Sequence, residues 1–241
     1  MKNISNYINE QLTTGVKPKT KEELQQIINE YIEQDGTECD LNDIDVSEIT
    51  DMSCLFCNSD FNGDISKWNV GNVNYMYMMF ANSNFNGDIS NWPVSQVGDM
   101  SMMFQNSKFN GDISKWNVSN VYAMESMFQD SKFNTDISKW NVKNVENMSN
   151  MFRYSKFNKN ISNWNVSNVK DMSFMFYKSK FNGDISQWDV SNVLYMENMF
   201  AFSYFNNDIS MWDVPNVERY INMFNGNELK NQFNKQPKFN K

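Results

Sequence analysis

The sequence predicts an α/β repeat solenoid of eight 24-residue coils closed at its start by a helix. Three observations carry that reading. The seven tryptophans, Trp68, Trp92, Trp116, Trp140, Trp164, Trp188 and Trp212, each follow the last by 24 residues. The segment Phe61-Asn-Gly-Asp-Ile-Ser-Lys-Trp68-Asn-Val70 returns in phase from Phe85, Phe109, Phe133, Phe157, Phe181 and Phe205. The positions headed by Ile65, Trp68, Val70, Val73, Met76, Met79 and Phe80 form columns that are apolar down the chain. A 24-residue unit is too short to bury its own apolar side chains, so it must stack on its neighbours.

The elements follow in chain order. Thr20 with Glu23 forms a capping box, and Leu24, Ile27, Ile28, Tyr31 and Ile32 fall on one helical face ahead of Gly36. A helix over about 20–34 is expected to lay that face on the first coil, within an N-terminal cap of residues 1–36. A shorter helix near 3–12, separated from it by the break from Gly15 to Pro18, is a further candidate. The solenoid is expected over 37–228. Its first unit is degenerate, with Leu41, Ile44, Leu55 and Phe56 in core columns. Within each coil the β-branched Ile65, Val70 and Val73 favour a short parallel strand. The i, i+3, i+4 spacing of Met76, Met79 and Phe80 suits one short helical turn facing inward. Eight coils at strand spacing would stack to roughly 38 Å. Residues 229–241 carry Lys230, Lys235, Lys238 and Lys241 and read as a flexible basic tail.

Polar columns repeat as well. Asn62 recurs in every later coil and reads as a structural ladder or bend-capping group, as do the Ser66 and Ser83 columns. The Asp64 column could suggest calcium between coils. Asn160 interrupts it mid-stack, so turn-capping hydrogen bonds are the expected use. Cys39, Cys54 and Cys57 lie in one corner. A single Cys-x-x-Cys without histidine is a weak metal or redox signal, and small buried side chains in a reducing setting are expected.

Composition excludes several function classes. The chain has 241 residues, a net charge of −8 and no histidine. Missing histidine removes the common triads, the histidine-bearing metal sites and the usual general base. Negative net charge disfavours nucleic acid and anionic lipid. No apolar run is long enough to cross a membrane. No catalytic residues, cofactor or metal are expected, since catalytic groups should break a repeat rather than follow it.

FNGDISKWNVSNV followed by xxMxxMF resembles the BspA-type leucine-rich-repeat surface proteins, the DUF285 repeat family of mycoplasmas, gut bacteria and some large viruses. The likeness spans all eight units. It implies a leucine-rich-repeat-like solenoid, surface exposure, and roles in adhesion or protein binding. The opening MKNISNYINEQL is not a secretory signal, so a cytoplasmic or virion-associated place is expected against the family's habit. The Asn117-Val-Ser119 and Asn165-Val-Ser167 sequons fall inside the packed repeat and are not expected to carry glycans.

Function should sit where the coils differ. The varying columns hold Tyr75, Tyr77, Tyr122, Tyr154, Phe174, Tyr177, Tyr195 and Phe202. Exposed aromatics with flanking charge are the make-up of a binding hot spot; the bland alternative is that they cover neighbouring coils. The Lys67 column reads as a solvated polar strip. The expected role is a non-catalytic protein-binding or adhesion module, with a glycan as the lesser ligand. The alternative is a self-assembling structural component of a virion or surface layer.

Overall fold

The computed structural model describes residues 16–239; the expected short helix at 3–12 lies outside them. The chain winds as a repeat solenoid. Helix α1, Lys21–Asp35, starts at Thr20, whose side chain accepts from the Glu23 N–H, and stops at Gly36 with φ 84°. Leu24, Ile27 and Ile28 are buried against the first coil, and Tyr31 and Ile32 pack beside them. The helix is pinned at both ends. Lys21 lies 3.9 Å from Asp51, and the Tyr31 hydroxyl donates to Asp43 at 2.6 Å. Burial and that bond push the Tyr31 phenol well above its ordinary pKa.

The core columns stack as read. All seven tryptophans are at most 4% exposed. Phe56, Phe80, Phe104 and their copies to Phe224 form one file, with centroids 5.5 to 6.0 Å apart. A second file runs from Phe61 to Phe205. Rings of neighbouring files, such as Phe80 and Phe85, stack at 4.4 Å. This aromatic core replaces what a 24-residue unit lacks alone.

The backbone departs from expectation in two ways. The Met76–Phe80 segment is not helical. Met79 N–H bonds Met76 O and Ser83 N–H bonds Phe80 O, closing successive tight turns. Met78 and Asn82 sit left-handed, both at φ 55°. Those twists turn alternate N–H groups along the stack. Met76, Met78, Phe80 and Asn82 donate to the carbonyls of Asp99, Ser101, Met103 and Gln105 in the next coil, at 2.8 to 3.0 Å. The same rung repeats along the molecule, with single parallel bridges running from Asp51↔Tyr75 to Tyr195↔Arg219. Two consecutive turns place side chains inward at the spacing that one helical turn would give.

The second departure lies at the β-branched side, which forms no extended strand among the described residues. Trp68 N–H bonds Ile65 O and Val73 N–H bonds Val70 O, so this side is also built of turns. Side chains take over the ladder there. Each tryptophan Nε1 donates to a carbonyl 27 residues earlier, from Trp68 to Leu41 at 2.9 Å through Trp212 to Ile185 at 3.0 Å. Each Asn of the Asn62 column before Asn206 accepts the N–H of its next copy, as Asn62 Oδ1 does from Asn86 at 2.7 Å. Glu38 and Glu228 accept from the end amides of that column. Asn72, Asn120, Asn144, Asn168, Asn192 and Asn216 donate to carbonyls 25 residues back. These side-chain bonds satisfy backbone groups that a strand would have paired.

The tail also differs from expectation. Residues Glu228–Asn231 and Phe233–Lys235 form two 3₁₀ turns. Leu229 is fully buried, and Phe239 stacks on Tyr220 at 4.0 Å. Tyr220 replaces a core methionine at the open end of the stack, and its exposed ring gives the tail something to cover. The described part of the expected flexible tail is therefore a folded end-cap.

Candidate partner-binding surface

The left-handed positions define the surface where the coils differ. One column reads Asn58, Asn82, Asn106, Asp130, Tyr154, Lys178, Phe202 and Gly226; the other reads Cys54, Met78, Met102, Ser126, Asn150, Phe174, Asn198 and Asn222. Asn and Gly suit positive φ, and bulky residues do not. In the early coils the asparagines bond one another, Asn82 to Asn58 at 3.0 Å and Asn106 to Asn82 at 2.9 Å. From coil five onward the amide ladder gives way to rings and cations.

Of the eight aromatics singled out by sequence, four come together. Tyr177 meets Tyr154 edge-on at 5.5 Å, Phe174 at 5.6 Å and Phe202 at 5.9 Å. Tyr154 and Phe202 are exposed, and Phe174 and Tyr177 are half-buried. Tyr154, Phe174 and Phe202 hold φ of 56°, 58° and 56°.

Two cations complete the group, and sequence reading had not named them. Arg153 lies 5.2 to 5.4 Å from the ring centres of Tyr154, Phe174 and Tyr177. Lys178 lies 5.3 to 5.8 Å from Tyr154, Tyr177 and Phe202. The Arg153 Nη1 donates to Asn150 at 3.2 Å, while its buried Nε has no partner among the described residues. Neither cation forms a salt bridge among those residues. The neighbouring Arg153 guanidinium, with the nearby Lys178 charge, draws the Tyr154 phenol below its ordinary pKa. The signal for both cations was present: they fill varying columns one residue from the tyrosines.

The other four aromatics lie apart from this cluster. Tyr122 rests over Gly98, where an added Cβ would meet the ring at 2.8 Å. It stands 48% exposed beside Asp99, and burial raises its phenol. Tyr75 lies exposed on the bridge column. The Tyr77 hydroxyl reaches the Met102 sulfur at 3.6 Å. Tyr195 is half-buried under Arg219, 5.9 Å away.

The polar faces are organised locally. Asp64, Asp88, Asp112, Asp136, Asp184 and Asp208 each accept the N–H of the serine two residues on, at 2.9 Å. That bond is the first cause holding each carboxyl below its usual pKa. Asn160 makes the same bond to Ser162 at 2.9 Å. The column therefore caps turns. The expectation of small buried cysteine side chains holds for Cys39 and fails for the other two. Cys54 and Cys57 are half-buried and form a disulfide across one turn, with Cα atoms 4.7 Å apart, while Cys39 is free and buried. The sequon asparagines Asn117 and Asn165 are exposed rather than packed, each bonding the serine N–H two residues on.

No curated protein and no solved structure matches the chain. A family profile described as "Mycoplasma protein of unknown function, DUF285" matches residues 23–135, 83–180 and 124–239 in three overlapping stretches. These stretches cover the helix, every coil and the tail cap, and the chain belongs to the DUF285 family.

Proposed function

We propose that the chain is a non-catalytic protein-binding module that takes an acidic partner surface on the patch formed by Arg153, Tyr154, Phe174, Tyr177, Lys178 and Phe202. The observation that carries this is backbone strain gathered under one exposed cluster of rings and cations. Tyr154, Lys178 and Phe202 occupy a left-handed column where sibling coils place asparagine, aspartate or glycine, and Phe174 occupies one shared with asparagine, serine, cysteine and methionine. Bulky residues there cost on the order of 1–2 kcal/mol each. Outliers of this kind gather at binding sites, where recognition offsets the strain.

Charge supports the same reading. Two cations that form no salt bridge among the described residues sit inside this ring cluster, on a chain of net charge −8. Arg and Tyr are the residues on which binding energy concentrates, and their rings hold the guanidinium in place. An acidic partner would be drawn to this patch and repelled by much of the remaining surface.

We read the repeat solenoid, in line with the family resemblance, as a leucine-rich-repeat-like scaffold used as a rigid face. Adhesion or another partner-holding role fits an exposed cluster of rings and cations on a repeat face. The test is affinity capture from source-cell or host fractions, with the natural chain against a Tyr154→Ala, Tyr177→Ala, Lys178→Ala variant. The reading requires a partner that the variant loses while its melting temperature stays within a few degrees. Equal capture by both would contradict it.

A further inference from the structure

The rung ladder has a direction. Each coil donates N–H groups to carbonyls of the next: Met196 to Arg219 at 2.8 Å, Asn198 to Ile221 at 3.0 Å, Phe200 to Met223 at 3.0 Å and Phe202 to Asn225 at 2.8 Å. No further coil follows the last one among the described residues. The N–H groups of Tyr220, Asn222, Phe224 and Gly226 find no acceptor among the described residues. They repeat the register of every internal rung, so they present four aligned donors.

The two ends of the stack are treated differently. At the first coil, α1 lies across the core, and residues 51–57 are buried or half-buried. At the last coil, residues 219–222 are all exposed. The tail covers the core through Leu229 and rests Phe239 on Tyr220, leaving a groove lined by Tyr220, Asn222, Phe224, Lys230 and Phe239. Ile221 beside it is 66% exposed, in a column otherwise filled by serine, glutamate or Tyr77.

Charge selects the occupant. Residues 214–239 hold Arg219, Lys230, Lys235 and Lys238 against Glu218 and Glu228, whereas coil one holds seven acidic residues and no basic one. A second copy could offer acidic carbonyl-bearing backbone only from its first coil, and α1 lies over that coil. We propose that the edge from Tyr220 to Gly226 docks an acidic segment of a partner protein, which takes up the same tight turns and adds as a ninth rung. Its carbonyls accept the four N–H groups, its alternate side chains meet Ile221, and its carboxylates face Lys230 and Lys238. This edge is separate from the patch on coils five to seven, and either site can fail without the other.

The probe is a synthetic peptide of residues 49–60 carrying Cys54→Ser and Cys57→Ser, a rung-forming sequence with Asp51 and Asp60. Amide exchange of the full chain is followed by NMR. The expected result is about tenfold slower exchange at Tyr220, Asn222, Phe224 and Gly226 with peptide present. Binding should weaken several-fold when salt rises from about 50 to about 500 mM. Ile221→Ser, which restores a residue common in that column, should weaken binding several-fold without changing the melt. No protection at about millimolar peptide, or equal binding of a peptide with lysines at the two aspartate positions, overturns the proposal. Protection that appears without peptide and dilutes away assigns the edge to a second copy and overturns it as well.

Discussion

The indole Nε1 of Trp140 donates to the carbonyl oxygen of Ile113, one coil earlier, at 3.0 Å. One side chain thus fills the core and closes a backbone bond that a strand would otherwise supply. Trp140→Ala should cost about 3–5 kcal/mol. Trp140→Phe keeps most of the bulk and should still cost about 1–3 kcal/mol, because the Ile113 carbonyl is left buried and unpaired. Equilibrium denaturation of both variants checks the split.

Acid should loosen the stack through the Asp64 column. The folded-state carboxyls lie below their ordinary pKa because serine N–H groups stabilise the charged form. A depressed folded pKa contributes stability above the unfolded value of about 3.9, and that contribution is lost as pH falls through and below it. The melting temperature should therefore drop below about pH 4. Asp88→Asn, Asp112→Asn and Asp136→Asn together should flatten that drop, since Asn160 already makes the same turn bond. The groups are highly exposed, so the effect is a slope in a melting curve rather than a collapse.

The helix is a required lid. Leu24, on its inward face, is fully buried. Leu24→Ala should cost about 2–5 kcal/mol and expose the first-coil core. Dye binding to apolar surface should rise in step with the lost stability.

Much of the fold was legible because stacked coils repeat their environment. The 24-residue period, the core columns and the Thr20 cap each follow from residue type and spacing. The Met76, Met79 and Phe80 spacing was ambiguous, since two tight turns and one helical turn bury the same positions. Asn58, Asn82 and Asn106 held the clue: asparagine recurs where φ is positive, and a helix has no such position. Tyr154 and Phe202 hid that clue further along the same column. The indole-to-carbonyl bonds and the Asn72 ladder were illegible, because a column of like residues does not say which backbone group it bonds. At the surface, the aromatics could be read one by one. Their grouping could not, as it depends on the sideways reach of Arg153 and Lys178 between coils.

The central claim is that the bulky left-handed residues are kept for binding against their own backbone cost. Phe174 stands between Asn150 and Asn198 in its column, and Tyr154 occupies a position that Asn82 and Asn106 fill in earlier coils. The decisive measurement is the double variant Phe174→Asn, Tyr154→Asn, read for melting temperature and for partner capture on the same preparation. The account predicts a rise in stability of about 1 kcal/mol or more together with loss of the partner. A fall in stability with capture intact would make these rings structural cover and contradict the claim.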